Sequence, residues 1–366
     1  MKKPLKNIFI SSIHQNAGKT TICLGLFKAL KSRRIKASFI KPVGQELVDV
    51  GNAHIDKDSY LIGEVFKTNK QYDKMSPVTI PRGFTEEYIT KPDKEKIKNK
   101  ILDSFNFLKR DKSAMIVEGT GHAGVGAVID HSNADVAALL GSKAIIISGG
   151  GIGKCIDEIM LNKALFDQSG VEIIGVIVNK VRQDKYDKIK KVLGKGLENK
   201  GIKLLGVIPL QPLMSSPTIN QVKSRLGLEV LCGKEGTQRR VTNTIVAAME
   251  PHNMIHYLKP GTLVITSGDR VDNILLAVSS HLVKGGKKDH ISGIILTGGL
   301  MPNPKIIDLL RKSDIPVLIS DHDTYAIAAQ LENLICKIQK TDKDKIQEAG
   351  RLVKKYVDID AILNAF

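Results

Sequence analysis

A chain of 366 residues, 42% of them apolar, has room for two domains, or three, with filled cores. Its four cysteines (Cys23, Cys155, Cys232, Cys336) stand far apart with no Cys-x-x-Cys pair, which excludes a disulfide framework and a cysteine zinc site and points to reduced thiols in a cytoplasmic protein. The net charge of +17 invites anions, but the lysines are dispersed, the densest stretch (180–203) mixes them with Asp and Glu at helical spacing, and aromatics are 4% with no Trp, so nucleic acid is not the expected partner. No apolar run approaches about 18 residues, so no membrane-spanning helix is expected. The basic N-terminus (Lys2, Lys3, Lys6) leads straight into a strand and does not read as a signal peptide.

In chain order, residues 1 to 213 alternate short apolar runs with helical patterns. The expected strands are Ile8–Ser11, Ala37–Ile40, Ala114–Val117, Ala144–Ser148, Ile173–Val178 and Leu204–Ile208, each apolar on both faces, as in a buried parallel sheet. Amphipathic stretches such as Lys94–Leu108 and Asp157–Ser169 lie between them. The fold class predicted is α/β, a doubly wound and mainly parallel sheet. Ligands of such sheets bind beyond the carboxyl ends of the strands, so the residues that follow each strand are the ones to read.

The first strand runs into Ser12-Ile13-His14-Gln15-Asn16-Ala17-Gly18-Lys19-Thr20-Thr21, and a helical pattern follows from Ile22 to Leu30. Strand, loop, Gly-Lys-Thr and helix form the context of a phosphate-binding loop, which makes ATP with Mg²⁺ the expected ligand and Asn16 to Thr21 its cradle. The N-terminus of a helix attracts phosphate through unpaired N–H groups and a partial positive charge. Gly18 lets the backbone come close, Lys19 brings a mobile charge to the β- and γ-oxygens, and the Thr20 hydroxyl is placed to ligate Mg²⁺. The glycine that usually opens such a loop falls at Ile13, or at Ser12 in a variant one residue longer, so this loop is expected to turn in its own way.

Further strand ends carry more chemistry. Lys41-Pro42 follows the second strand and points Lys41 toward the crevice of Lys19. Ile55-Asp56-Lys57-Asp58 then offers two carboxylates, one to reach Mg²⁺ and one to cap a helix, without saying which. The third strand ends at Glu118, followed by Gly119-Thr120-Gly121-His122-Ala123-Gly124-Val125-Gly126. A buried carboxylate there requires a cation or a hydrogen-bond network, and the glycines allow a backbone anion pocket. Gly149-Gly150-Gly151-Ile152-Gly153-Lys154-Cys155 imitates a second phosphate loop, but Cys155 replaces the metal-binding hydroxyl. Asn179, after the fifth strand, either reads an adenine edge or caps the next helix.

Taken in order, Gly18-Lys19-Thr20, Lys41-Pro42-Val43, Val117-Glu118-Gly119, Asn179-Lys180 and Leu205-Gly206-Val207-Ile208-Pro209 resemble dethiobiotin synthetase and the wider group of ATP-dependent synthetases that make cobyrinic acid diamide. As a set these motifs are most similar to the dethiobiotin-synthetase-like N-terminal domain of long bacterial phosphotransacetylases, and the glycine-rich run Gly119 to Gly126 looks like the stand-alone members of that group. The likeness covers residues 4–213 and implies a P-loop NTPase domain. It implies that Lys19 and Lys41 are the catalytic lysines, holding the phosphates and the activated substrate. It further implies that Thr20, Glu118 and one of Asp56 and Asp58 surround Mg²⁺, and that Asn179 contacts adenine, with Pro209 also on the nucleotide. His14 stands where the partition and metallo-assembly ATPases carry a signature lysine, which sets this chain apart from them.

After Pro217 the pattern changes. Residues 218–232 and 241–250 read as helical, with Gly227 to Gly236 a turn-rich break, and the expected elements beyond are a strand Thr262–Thr266, a helix Asp272–Leu282, and strands Ile291–Leu296 and Val317–Ser320. Gly268-Asp269-Arg270 and Thr297-Gly298-Gly299 resemble, in two pieces, the motif of the DRTGG domain, which implies a smaller α/β unit concerned with regulation and subunit contacts. Asp342–Phe366 reads as two amphipathic segments. The domain plan is therefore 1–215, 216–340 and 341–366. The acetyl-transferring domain of a phosphotransacetylase and a Cys-His glutaminase are not expected among these residues, and His252 and His256 read as ordinary polar positions. The expected function is a Mg²⁺-dependent ATP-binding enzyme that hydrolyses ATP or transfers its γ-phosphoryl group to a small carboxylate or carbamate. The rival is a non-catalytic nucleotide sensor or scaffold acting on a partner enzyme. A homo-oligomer, a dimer, is implied by resemblance alone.

Overall fold

The computed structural model describes residues 5–68, 71–283 and 291–366. The chain divides into two compact units, Met1–Gln211 with Ile338–Phe366, and Pro212–Lys337.

The first unit is built as β1 (Lys6–Ser12), α1 (Lys19–Ser32), β2 (Ala37–Ile40), α2 (Lys57–Phe66), α3 (Lys94–Leu108), β3 (Ala114–Glu118), α4 (Asn133–Leu139), β4 (Lys143–Ser148), α5 (Gly153–Gln168), β5 (Ile173–Val181), α6 (Tyr186–Glu198) and β6 (Leu204–Pro209). The strands are parallel in the order β6-β5-β4-β1-β3-β2. Continuous apolar runs allow both faces to be covered: every residue of β3 is buried, and Ile8, Phe9 and Ile10 of β1 are fully so. The chain winds from β1 outward to β2, returns to β3, then crosses to β4 on the other side of β1. The direction of winding therefore reverses at the carboxyl end of β1, where α/β sheets open a crevice. A short antiparallel hairpin, Leu47–Val50 with Ala53–Asp56, precedes α2 and delivers Asp56 to the interior.

The second unit contains α7 (Ile219–Leu226), β7 (Glu229–Cys232), β8 (Asn243–Val246), β9 (Thr262–Ser267), α8 (Val271–Val283), β10 (Gly293–Thr297), α9 (Pro304–Lys312), β11 (Val317–Ile319) and α10 (Thr324–Glu332). Its sheet has the order β7-β11-β10-β9-β8, parallel except for β7. One apolar cluster around Val264, Leu296 and Ile274 covers one face, and another around Ile265, Ile295 and Ile327 covers the other. Two helical expectations fail here. Residues 241–250 contribute the edge strand β8, because Val241, Thr242, Thr244, Ile245 and Val246 are β-branched and fit a pleated surface better than a helix. Within 218–232 the helix stops at Leu226, where Gly227 adopts φ 68°, and β7 follows.

The chain then contributes α11 (Lys343–Tyr356) and α12 (Ile359–Asn364) to the first unit. The sequence pattern set 341–366 apart as a third segment; the contacts assign it, from Ile338 onward, to the first unit. Helix α11 packs along α1 at two glycines. A Cβ on Gly25 would lie 2.2 Å from Val353 Cγ2 and 2.6 Å from the Ala349 carbonyl, and one on Gly350 would lie 2.4 Å from Lys28 Cδ. Val357 bridges to Gly206, the Asp358 N–H donates to the Leu205 carbonyl (2.8 Å), and Arg33 forms a two-pronged pair with Asp360. Gly25→Ala is expected to cost about 1–3 kcal/mol by overpacking, read from the urea midpoint at unchanged m-value. An unshifted midpoint would show that α11 does not sit on α1.

Candidate functional site

Between the end of β1 and the start of α1, residues 13–18 reverse the chain at the carboxyl edge of the sheet. Asn16 has φ 61° and Gly18 φ 107°. A Cβ at position 18 would also fall 2.2 Å from Asn179 Nδ2, so conformation and space both demand glycine there.

Each carbonyl from His14 to Gly18 has a partner inside the protein. Ser12 Oγ donates to His14 O (2.6 Å), and Gln15 O faces His14 Nδ1 (2.6 Å). Lys180 Nζ donates to Asn16 O (2.6 Å), Asn179 Nδ2 to Ala17 O (2.9 Å), and the Ile22 N–H to Gly18 O (3.1 Å). The N–H and C=O of a planar trans peptide point in opposite directions. With the oxygen side anchored, the loop presents N–H groups on its other side, joined by those of the first turn of α1. Such an arrangement suits an anion.

The residue standing where a glycine is usual, Ser12, has a structural task. Its hydroxyl lies within bonding distance of His14 O and of Gly121 O (3.0 Å) and accepts from Lys19 Nζ (2.8 Å). Lys19, buried at 7% exposure, is thus held against the loop, with Gly121 O a further 3.5 Å acceptor. Burial lowers its pKa to about 8, against the pull of the Glu118 carboxylate.

Glu118 closes β3, opposite Ile10 of β1. Thr20 Oγ1 donates to its Oε1 (2.9 Å); among the described residues its Oε2 has no hydrogen-bond partner, and the buried Cys23 thiol lies beside the carboxyl. Burial pushes the Glu118 pKa up to about 7, and the nearby Asp58 carboxylate adds to the rise. A buried carboxylate oxygen with at most a weak thiol for a donor, next to a threonine hydroxyl on a phosphate-loop helix, fits a hard cation. Thr20 and Glu118 therefore suit Mg²⁺.

The other two carboxylates are both paired with Lys41. Asp56 caps α2, its Oδ1 accepting the Asp58 N–H at 2.9 Å. Lys41 Nζ stands 3.1 Å from Asp56 Oδ1 and pairs with Asp58 Oδ2. Burial opposes the charge on Lys41, but Asp58 and then Asp56 overcome it and hold the ammonium above its usual range. Gly44 makes room, since a Cβ there would lie 2.8 Å from Asp56 Oδ2. Among the described residues no three His, Cys, Asp or Glu side chains gather as a ready-made metal cage.

The glycine-rich run after Glu118 is held by two asparagines that the sequence reading did not single out. Asn133 takes the Thr120 N–H on Oδ1 (3.1 Å) and donates to the carbonyls of Thr120 (2.8 Å) and His122 (2.6 Å); Asn162 Oδ1 takes the Ala123 N–H (2.8 Å). Asn133 sits beside the capping-box residue Ser132, the one local sign that α4 starts there. Asn162 lies mid-helix and gives no local sign. The imitation loop before α5 closes on itself through Ser148 Oγ and Cys155 Sγ (2.9 Å). Pro209, buried, ends β6 level with Val181 of β5.

A doubly wound parallel sheet whose first strand passes through Gly-Lys-Thr into a helix, with a buried acid ending the adjacent strand, is a P-loop NTPase domain. Residues 6–218 match the AAA domain family and the chain belongs to it; residues 221–334 match the DRTGG domain. A phosphate acetyltransferase of Nitratidesulfovibrio vulgaris is 29% identical over 96% of this chain and 50% of its own length; one of Synechocystis is 25% identical over 98% and 51%. The chain spans about half the length of the curated relatives it matches. Their name describes acetyl transfer to phosphate, not the ATP-dependent reaction expected from the sequence. Among solved structures, the septum site-determining protein MinD with Mg-ADP from Pyrococcus horikoshii shares 20% identity over 58% of this chain and 84% of its own, with TM-score 0.37. The CBS and DRTGG domains of the Clostridium perfringens pyrophosphatase share 16% over 43% and 74%, with TM-score 0.27. No helix among the described residues is long and apolar enough to cross a membrane.

Proposed function

We propose that the first unit binds ATP as its Mg²⁺ complex and cleaves the γ-phosphoryl bond, with the DRTGG unit regulating it. The observation that carries this is the loop whose carbonyls are all anchored, beside Lys19, Thr20 and Glu118. Lys19 would leave Ser12 Oγ for the β- and γ-oxygens, a short swing that exchanges a neutral acceptor for charged ones. Thr20 and Glu118 would hold the metal, which supplies charge neutralisation when bound. The loop N–H groups would fix the phosphates in line for attack, so positioning and electrostatics account for most of the rate. Asn179 and Pro209 would border the base, in a cytoplasmic protein that works as a homo-oligomer.

The acceptor is water or a small carboxylate. A carboxylate is already ionised at neutral pH and needs no general base. A second reading, a nucleotide sensor with little turnover, is favoured by one observation: Lys41, the lysine the resemblance gives to the substrate, is neutralised by Asp56 and Asp58. Calorimetry with MgATP and MgADP, together with phosphate release in the presence and absence of small carboxylates, separates the possibilities. Turnover stimulated by a carboxylate supports transfer. Tight binding without turnover supports the sensor. No uptake of either nucleotide by folded protein removes both.

A further inference from the structure

Seven non-glycine residues among those described have positive φ, and two of them, Asn16 and Lys180, are joined by one hydrogen bond. Asparagine tolerates the left-handed region because its short polar side chain bonds locally; lysine has no such excuse, and φ 59° at Lys180 stores strain. The strain is not imposed by a buried side chain, since Lys180 is exposed over much of its length, although desolvation near the loop lowers the pKa of its ammonium. Glycine or asparagine at 180 would relieve it. What the lysine adds is an ammonium that reaches the Asn16 carbonyl at 2.6 Å, while the preceding Asn179 takes the next carbonyl along, Ala17 O. Consecutive residues of β5 therefore grip consecutive carbonyls of the loop.

We propose that Lys180 is a positioning residue of the phosphate loop: by holding the Asn16 carbonyl outward, it turns the following N–H inward and pre-forms the anion cradle before a nucleotide arrives. The direction follows from the peptide plane. Freeing Asn16 O lets the Asn16–Ala17 peptide rotate, and an ammonium that binds a carbonyl also cancels a negative dipole beside the incoming phosphates. Affinity then comes in part from preorganisation, with the loop ordered in advance. This inference rests on the nucleotide-binding reading above and adds a residue that contacts the loop rather than the phosphates.

The test is the pair Lys180→Asn and Lys180→Arg in the full chain, with MgADP titrated calorimetrically and thermal unfolding followed in parallel. Lys180→Asn relieves the backbone strain and loses the ammonium, so the two readouts should part: Tm equal to or above that of the unsubstituted protein, and affinity lower by roughly tenfold. Lys180→Arg keeps a cation in reach and should restore most of the affinity. A residue with a merely structural role would move both readouts together. Unchanged affinity in Lys180→Asn, or a Tm that falls along with affinity, overturns the inference while leaving the nucleotide site intact. Failure of the unsubstituted protein to bind MgADP overturns the site and the inference together.

Discussion

Lys19→Ala should weaken MgATP binding about 100-fold in calorimetry, because the phosphates lose their one mobile cation at the helix N-terminus. A charge-assisted hydrogen bond contributes about 1.5–3 kcal/mol, and about 1.4 kcal/mol is a factor of ten, so the loss of two such bonds reaches that size. The protein should still fold. Lys19 is a buried ammonium whose pKa burial has lowered to about 8, so its charge is a cost to the folded chain that the nucleotide offsets. Lys19→Arg should not restore binding, since the planar guanidinium does not fit a pocket bounded by Ser12 Oγ and the Gly121 carbonyl. A variant that binds MgATP as tightly as the unsubstituted chain would mean that the loop is not a triphosphate site.

Lys41→Met should have its main effect on stability. It removes the partner of two carboxylates that are 0% and 3% exposed, and breaking a buried ion pair from one side costs about 3–5 kcal/mol. The sign of the pH dependence follows. Burial already raises the Asp56 pKa, and without the opposing charge of Lys41 it would rise further above its unfolded value. A carboxyl whose folded pKa exceeds its unfolded pKa is favoured in the fold when protonated, so the deficit of Lys41→Met should shrink as pH falls into the carboxylate range and grow as pH rises out of it. Adding Asp58→Asn to Lys41→Met should recover part of the loss at neutral pH. If instead urea unfolding is unaffected and only turnover falls, Lys41 is chiefly a substrate lysine and the ion pairs seen here open in the working state.

How far the site was legible depended on how local its cause was. The six central strands of the first unit were readable because each is a buried parallel strand with apolar residues on both faces, and α3 was readable to the residue because Asp93 caps it and its apolar positions keep helical spacing. The Gly-Lys-Thr loop was readable because its chemistry is contained in consecutive residues. The asparagines that hold the glycine-rich run, Asn133 and Asn162, were not, because their partners lie 11–13 and 39 residues away along the chain. The helical reading of 241–250 gave way because a strand edge was available beside β9, and β-branched residues follow the partner that packs them.

Local order and chemical type are what the residues settled by themselves: a parallel α/β sheet, a phosphate loop at its first strand, a second α/β unit after Pro217, and acids and lysines placed at strand ends. The resemblance grouped some of these residues around one ligand, and the tertiary structure decided how they pair with one another. It paired Thr20 with Glu118 and Lys41 with both aspartates, set Asn179 and Lys180 on the loop carbonyls, and returned α11 to α1 across a pair of glycines. Charges attract whichever partner the fold brings within a few ångströms, and the linear spacing of 98 residues between Thr20 and Glu118 carries no trace of that distance.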